Sequence, residues 1–251
     1  MPTLYPSEAD GSRLTRIGLT DQVHRIVRRH LLDGKYPGGS TLNTVDLATD
    51  LGVSRTPVRQ ALQMLEQQGL LEVDTRGQYV VHQPTTAEIV EVFLVRVTLE
   101  WLALRMLVQQ ADDTAIRTLK RLLSEQESAM VEGDAEKFLE LDGQLHVQIA
   151  RSAGLLHTAQ FLTELRDLIV LLGGKAVTHP GRREAVLAEH HAILNAVLAR
   201  DADRAVNALS DHLLNTAQSI SREILEPLEV LVSLSRHGKG EPGADAAVGP
   251  D

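Results

Sequence analysis

Hydrophobic positions in the first third of the chain predict three short helices. The first helix carries its apolar residues on one face, Val23, Ile26, Val27 and Leu31. Thr20 is a suitable N-cap for this helix, and Gly34 supplies a C-terminal stop. Asn43 can cap a second helix that ends near Gly52.

The third predicted helix, SRTPVRQALQMLEQQG, begins at Ser54 as its cap. Pro57 falls in its first turn, where a missing N–H is tolerated. The apolar residues Val58, Leu62 and Leu65 share one face. This pattern leaves the opposite face of the helix free for polar contacts.

A β-hairpin is predicted next, with LLEV at 70–73, the turn DTRG at 74–77 and QYVVH at 78–82. Three helices followed by a hairpin form a winged helix-turn-helix, the first domain of a mainly α protein. On periodicity alone, a generic α+β domain with no role at nucleic acid fits the same pattern.

From residue 86 onward the pattern changes to long amphipathic helices with almost no alternation typical of strands. We expect an all-α helical bundle with helices at 86–109, 112–131, 134–152, 155–173, 182–199 and 202–225. The predicted division is a disordered lead-in at 1–19, the winged helix-turn-helix domain at 20–83, a helical domain at 86–234, and a disordered tail at 235–251.

Composition narrows the chemistry that the chain can perform. The absence of cysteine excludes disulfides, thiolate zinc fingers and a cysteine nucleophile, so any metal site must use histidines and carboxylates. There is no basic leader followed by an apolar run, and no apolar stretch approaches the roughly 20 residues of a membrane span. We therefore expect a cytoplasmic protein with no membrane contact.

The formal net charge of −9 is unevenly distributed along the chain. Residues 1–84 contain nine Lys or Arg and nine Asp or Glu, whereas residues 85–251 contain sixteen and twenty-five. The net negative charge therefore lies entirely in the helical domain. A neutral first domain remains compatible with DNA, and the acidic second domain discourages loose non-specific binding.

Two pairs of polar residues in the helical domain could meet at one ion. Asp142 and His146 lie one turn apart on one helical face. His190 and His212 lie about eleven residues before and after a tight turn near Arg200, so an antiparallel hairpin places them at the same level. Taken alone, a pair such as Asp142 and His146 is more often a hydrogen-bonded or surface pair than part of a metal site.

The stretch LGVSRTPVRQALQMLEQQGLLEV, followed by RGQYVV, closely resembles the DNA-binding domain of GntR-family bacterial transcription regulators. The resemblance implies that the third helix enters the major groove, with Arg55 and Arg59 at base edges and Thr56 near the DNA backbone. It also implies a wing at Arg76 and Gly77 that reaches the minor groove. Arginines four residues apart share a helix face and suit guanine recognition. A solvated basic face is the alternative.

Two positions depart from many relatives in that family. Val45 replaces an arginine of the second helix, and Gln60 replaces a glutamate of the third. The resemblance implies a short palindromic DNA operator, and these departures leave its base sequence open.

The later stretches VRVTLE, LDGQLHVQIARSAG, AEHHAILNAVLARDADRA and DHL are similar to the FCD effector domain of the FadR subfamily. That resemblance implies that the helical domain at 86–234 is an effector, metal-binding and dimerisation domain. It also implies a metal site formed by Asp142, His146, His190 and His212. Three imidazoles and a carboxylate suit Zn²⁺ or Ni²⁺, with Mn²⁺ also compatible. The adjacent His191 points about 100° away from His190 and is expected outside the ligand set.

Arg96 and Glu100 lie one turn apart and could form a simple ion pair. The family resemblance also implies a role for Arg96 in holding an anionic effector.

These features predict a homodimeric, DNA-binding repressor that is released by a small carboxylate bound at the metal. The alternatives are a regulator for which the ion itself is the signal, and a metal-dependent hydrolase, although no HExxH-type catalytic motif is present.

Overall fold

The computed structural model describes residues 18–173, 181–220 and 222–237. The chain divides into two compact units, one up to His82 and the other from Gln83 onward, with residues 32–34 grouped with the second. Most of the predicted lead-in and of the predicted tail lies outside the described residues. Among the residues that are described, no helix combines the length and the apolar character needed to cross a membrane.

The first unit has the predicted order of three helices and a hairpin, with one further strand. Its elements are α1 (Leu19–Leu32), β1 (Thr41–Leu42), α2 (Thr44–Asp50), α3 (Arg55–Gln67), β2 (Leu71–Val73) and β3 (Tyr79–Val81). The strands form an antiparallel sheet in the order β1-β3-β2. Strand β1 was not predicted, because two residues are too few to produce an alternating pattern.

The apolar face of α3 is the centre of this unit. Val58, Leu62 and Leu65 are fully buried, and Val27 of α1 is buried with them. The predicted N-cap of α2 is confirmed, since Asn43 Oδ1 accepts a hydrogen bond from the amide of Val45 at 2.7 Å. Burying one face of α3 in this way exposes the other face along its whole length.

The prediction that Thr20 caps α1 is wrong. The helix begins at Leu19, before Thr20, and the carbonyl of Gly18 accepts the first helical bond from Gln22 at 3.1 Å. The hydroxyl of Thr20 instead donates to Oε1 of Gln60 on α3 at 2.9 Å. Ser54 occupies the N-cap position of α3 without a hydrogen bond from its side chain.

The second unit is all-α, as predicted. Its helices are α4 (Thr86–Gln110), α5 (Asp113–Glu132), α6 (Ala135–Ser152), α7 (Leu156–Gly173), α8 (Arg182–Leu198), α9 (Ala202–Ile220) and α10 (Arg222–His237). Helix α4 packs against α6, α7, α9 and α10, and α5 packs against α6 and α8. The mainly α fold class with two different domains is confirmed.

Local sequence signals fix the ends of these helices. Thr85 and Glu88 form a capping box at the start of α4. The turn between α8 and α9 contains Arg200 with φ of 57°, a left-handed conformation that is uncommon outside glycine. Its guanidinium group donates to the carbonyls of Val108 and Ala111 at the end of α4, at 2.9 and 2.5 Å. Two hydrogen bonds therefore attach the turn between α8 and α9 to the end of α4.

The predicted helix at 202–225 is wrong, because α9 ends at Ile220 and a separate helix, α10, follows. Ile224, Leu228 and Val232 of α10 are buried at helical spacing against α4 and α9. Pro227 lies inside α10, where its missing N–H removes one backbone hydrogen bond. Helix α10 also continues to residue 237, beyond the predicted end of the helical domain at 234.

Candidate functional sites

The four predicted metal ligands meet inside the helical bundle. Asp142 and His146 come from α6, His190 from α8 and His212 from α9. One potential ligand atom of each lies within 4.8 Å of those of the others. The centroids of the three imidazole rings are 4.7 to 5.3 Å apart. All three histidines are buried, and Asp142 is partly buried.

Each imidazole ring is held through its Nδ1 atom by a different polar side chain. Nδ1 of His146 lies 2.6 Å from Oε2 of Glu100. Nδ1 of His190 lies 2.8 Å from Oε1 of Gln126. Nδ1 of His212 lies 2.7 Å from Oε2 of Glu189. With every Nδ1 occupied, the Nε2 atoms are the ones available to a shared ligand.

Two of these Nε2 atoms are buried without a hydrogen-bond partner. They belong to His146 and His190. Oδ1 of Asp142 lies 3.5 Å from Nε2 of His190, which is beyond good hydrogen-bonding distance. Buried polar atoms without partners are rare in folded proteins and require an explanation. A divalent ion that accepts these lone pairs supplies one.

Two of the three cluster histidines, His190 and His212, have the protonation state that metal ligation requires. Burial lowers the pKa of His190 well below its usual value, and the neighbouring His212 and His146 lower it further. Burial also lowers the pKa of His212, although the hydrogen bond to Glu189 partly offsets this effect. His190 and His212 are therefore neutral at pH 7 and have a free lone pair to offer.

Arg96, predicted as an effector residue, belongs to the same cluster. Its Nε atom donates to Oε1 of Glu100 at 2.5 Å, and the other carboxylate oxygen of Glu100 faces His146. Burial raises the pKa of Glu100, but His146 and Arg96 together hold that pKa at about 2. Glu100 is consequently ionised although it is almost completely buried.

A second chain of the same kind ends at His212. Nη1 of Arg182 donates to Oε1 of Glu189 at 2.8 Å, and Nδ2 of Asn215 donates to the same oxygen at 2.7 Å. Burial raises the pKa of Glu189, whereas hydrogen bonds from His212 and Arg182 bring it below its usual value. Arg182 also donates to the hydroxyl of Thr216 at 2.9 Å.

The sequence did not reveal Glu100, Gln126, Glu189 or Arg182 as parts of the site. Glu189 directly precedes His190, but adjacency along a helix does not show that its carboxylate serves His212. The prediction for His191 agrees with the structure, since its side chain is exposed and its Nε2 lies 2.6 Å from Oε1 of Glu127. His191 therefore faces away from the cluster.

A close approach next to Asp142 explains a buried glycine. A Cβ atom at Gly143 would overlap the Nε, Cδ and Cγ atoms of Arg166 on α7. Nη2 of Arg166 donates to the carbonyl of Leu139 at 3.4 Å. Because residue 143 has no side chain, Arg166 of α7 can lie against α6 beside Asp142, a candidate metal ligand.

The set of donors fits a first-row divalent ion. Three neutral imidazole nitrogens and one carboxylate oxygen are ligands that Zn²⁺, Ni²⁺ and Mn²⁺ accept, and their identity alone does not select one of these ions. Histidine ligands are ordinarily held by hydrogen bonds to their second ring nitrogen, which is the arrangement seen at all three rings. The cluster could hold a metal ion.

The predicted DNA-reading residues lie together on the open face of α3. Arg55, Thr56 and Arg59 are all exposed, and the two arginines are one turn apart. Gln60, next to Arg59, is exposed as well, and its side-chain oxygen accepts the hydrogen bond from Thr20. This face therefore presents two exposed cationic side chains on the side opposite the buried apolar residues of α3.

The predicted wing has a well-ordered turn. Oδ1 of Asp74 accepts hydrogen bonds from the amides of Arg76 and Gln78, at 2.9 and 2.8 Å. Gly77 has φ of +77°, a conformation that side chains rarely adopt. The side chain of Arg76 is exposed at the tip.

Val45 is 47% exposed at the start of α2, where an arginine could be accommodated.

Comparison with known families agrees with both halves of the structure. Residues 19–81 match the model described as bacterial regulatory proteins, gntR family, and residues 91–215 match the FCD domain. The first range includes every candidate DNA-reading residue, and the second includes every candidate metal ligand. The chain belongs to the GntR family of transcription regulators and carries an FCD domain.

Individual relatives support the same assignment. The chain is 26% identical to the HTH-type transcriptional regulator YdhC of Bacillus subtilis, with 83% of this chain and 93% of that protein covered. It is 24% identical to the HTH-type transcriptional repressor RspR of Escherichia coli, with 80% and 89% covered. These families and relatives are DNA-binding regulators, not enzymes, so the hydrolase alternative is set aside.

Solved structures share the fold. Escherichia coli McbR/YncC matches with a TM-score of 0.68 and 23% identity, over 79% of this chain and 94% of that chain. A GntR-type regulator from Rhodococcus matches with a TM-score of 0.67 and 23% identity, over 80% and 96%.

Proposed function

We propose that this GntR-family regulator is a ligand-responsive repressor of the FadR subfamily. Its helical domain holds a divalent metal ion, and a small carboxylate that binds at this ion is the signal. The observation that carries the proposal is the convergence of His146, His190 and His212 with every Nδ1 atom occupied and two buried Nε2 atoms lacking partners.

Asp142, His146, His190 and His212 are the proposed ligands. Zn²⁺ and Ni²⁺ are the preferred ions, with Mn²⁺ as a third choice. Such an ion supplies open coordination positions and positive charge for a carboxylate. The guanidinium group of Arg96, in the same buried cluster, is the candidate to hold the effector from the protein side.

The DNA-reading role is assigned to the exposed face of α3 and to the wing. Arg55 and Arg59 are proposed to contact base edges, Thr56 the DNA backbone, and Arg76 and Gly77 the minor groove. A homodimer would place two such units on a short palindromic operator. Effector binding then changes the populations of dimer conformations that fit the two half-sites.

Repression is favoured over activation by the relatives. RspR is named a repressor, and a 25% identical protein from Bacillus licheniformis is named the gluconate operon transcriptional repressor. A protein that acts on a chromosomal operator works in the bacterial cytoplasm, which is the proposed location.

The test measures operator binding as a function of metal and acid. An operator is first selected from a random duplex library with the purified protein. Binding is then measured with metal-free protein, with Zn²⁺ or Ni²⁺ alone, and with metal plus a panel of small mono- and dicarboxylates. Release by one acid only when metal is present supports the proposal. Release or tightening by metal alone identifies the ion as the signal and contradicts it.

A further inference from the structure

Two of the candidate ligands are held by parallel chains of charged residues from different helices. In one chain, Arg96 of α4 binds Glu100, and Glu100 faces Nδ1 of His146 on α6. In the other chain, Arg182 binds Glu189, both on α8, and Glu189 faces Nδ1 of His212 on α9. The order arginine, glutamate, histidine is the same in both.

The third candidate ligand, His190, is held by a neutral side chain rather than by a glutamate. Gln126 of α5 is fully buried, and its Oε1 accepts from Nδ1 of His190. Its Nε2 points to the carbonyl of Phe138 on α6, at 3.5 Å. The reversed amide would place its oxygen against that carbonyl, where the two oxygens would repel each other, so the orientation with Oε1 towards the ring is favoured. A carbonyl oxygen can only accept, and His190 must therefore carry its proton on Nδ1.

A carboxylate imposes the same requirement on the other two rings. Glu100 and Glu189 are each paired with an arginine, and a carboxylate in such a pair accepts hydrogen bonds, so the Nδ1 atoms of His146 and His212 donate to them. Neutral imidazole has one N–H, and its position on Nδ1 leaves the Nε2 lone pair for an ion. The arginines hold the two carboxylates in place within a buried cluster.

We propose that Glu100, Gln126 and Glu189 are positioning residues that fix the three histidines in the Nδ1–H tautomer, and that Arg96 and Arg182 act on the ligands through the two glutamates. The inference rests on the proposed metal site and adds to it. It assigns Arg96 a role at His146 that exists without any effector.

The first experiment observes the tautomers directly in metal-free protein. Long-range ¹H–¹⁵N spectra of the imidazoles are recorded for the wild type and for Gln126→Leu, which removes one acceptor without leaving a charge. All three cluster histidines should have the Nδ1–H form in the wild type. Gln126→Leu should lose that preference at His190 and keep it at His146 and His212.

The second experiment measures zinc affinity by competition with a chromophoric chelator, without DNA or effector. Glu189→Gln and Arg182→Gln alter the less buried of the two pairs, with side chains 14% and 10% exposed, and these variants are expected to fold. Each should bind Zn²⁺ roughly 10–100-fold more weakly than the wild type. Since Arg182 acts through Glu189, the double variant should be no weaker than Glu189→Gln alone.

The same comparison of two single variants with their double variant is made with Arg96→Gln and Glu100→Gln. Arg105→Gln is the matched control, because Arg105 forms an ion pair with Asp203 on the bundle surface, with both side chains about half exposed, and it should leave zinc affinity unchanged. If Arg96 contacts only the effector, Arg96→Gln will bind Zn²⁺ as the wild type does, and the assignment of Arg96 is overturned.

The two proposals fail in different ways. Wild type that binds zinc, with normal affinity in the variants of both pairs, overturns the positioning roles and leaves the metal site standing. Wild type that binds no metal, but whose three cluster histidines have the Nδ1–H form, overturns the metal site and supports the tautomer assignment. Mixed or Nε2–H tautomers in the metal-free wild type overturn the assignment whatever the zinc affinity.

Discussion

Removal of the metal ion should lower the thermal stability of the helical domain, and His190 should be required for that effect. The buried Nε2 atoms of His146 and His190 have no hydrogen-bond partner when the ion is absent. Each buried polar atom without a partner costs about 1–3 kcal/mol. An ion bound by both atoms should therefore stabilise the folded domain by about 2–6 kcal/mol.

An independent argument gives a similar size. An ion present at about 100 times its dissociation constant stabilises the folded state by about 2.7 kcal/mol. In a chain of this size, each kcal/mol changes the melting temperature by about 2–4 °C. Chelation should therefore lower the melting temperature of the wild type by at least about 4 °C.

The assay compares His190→Ala with its neighbour His191→Ala. Both variants are melted in Zn²⁺ and in chelator, and their metal content is measured by elemental analysis. His190→Ala should contain no ion and melt at the same temperature in both conditions. His191→Ala should keep about one ion per chain and the full difference, because its exposed pair with Glu127 contributes only about 0–1 kcal/mol.

Two results would refute this reasoning. The first is a wild type that carries no metal after purification without chelator and cannot be loaded with Zn²⁺, Ni²⁺ or Mn²⁺. The second is a His190→Ala variant that still shows the metal-dependent melting difference. In the first case the cluster is a polar network without an ion, and in the second case His190 is not a ligand.

Four further predictions concern the DNA-reading surface, the assembly and the packing beside the site. Arg59→Ala should weaken operator binding by about 1–3 kcal/mol in each half-site with an unchanged melting curve, and wild-type affinity would place Arg59 away from the bases. Val45→Arg should strengthen binding or alter base preference in a duplex selection, and a lack of change in both would place position 45 away from DNA. Sedimentation equilibrium at micromolar concentration should give twice the chain mass of 27.5 kDa, and a single-chain mass with and without operator would contradict the dimer. Gly143→Ala should lower the free energy of unfolding, because overpacking against Arg166 costs about 1–3 kcal/mol and the gain in helix propensity is about 1 kcal/mol; a denaturant melt that shows a more stable variant would mean that Arg166 moves aside freely.

Local regularities explain what could be predicted for the DNA-binding unit. The period of its apolar residues identified α3 and its buried face, and the same period placed Arg55 and Arg59 on the opposite side. Asn43 capped α2 as expected because a cap depends on neighbouring residues only. Strand β1 was missed because its pairing partner, β3, lies far away in the sequence and a two-residue strand has no pattern of its own.

The candidate ligands themselves followed from helical geometry. A spacing of four residues placed Asp142 and His146 on one face of a helix, and equal distances from the α8–α9 turn placed His190 level with His212. The family resemblance then joined the two pairs into one predicted site. Convergence within 4.8 Å agrees with that prediction, although the binding of an ion stays a prediction.

Tertiary structure alone decided which side chains support those ligands. His146 and Glu100 are 46 residues apart, and His190 and Gln126 are 64 residues apart. Such pairs depend on which helices pack together and on how each helix is rotated about its axis. No regularity of spacing along one helix encodes either quantity. The sequence therefore determined the elements and the ligand-bearing faces, whereas helix packing determined the tautomer-fixing contacts, because those contacts exist only between side chains brought together by the fold.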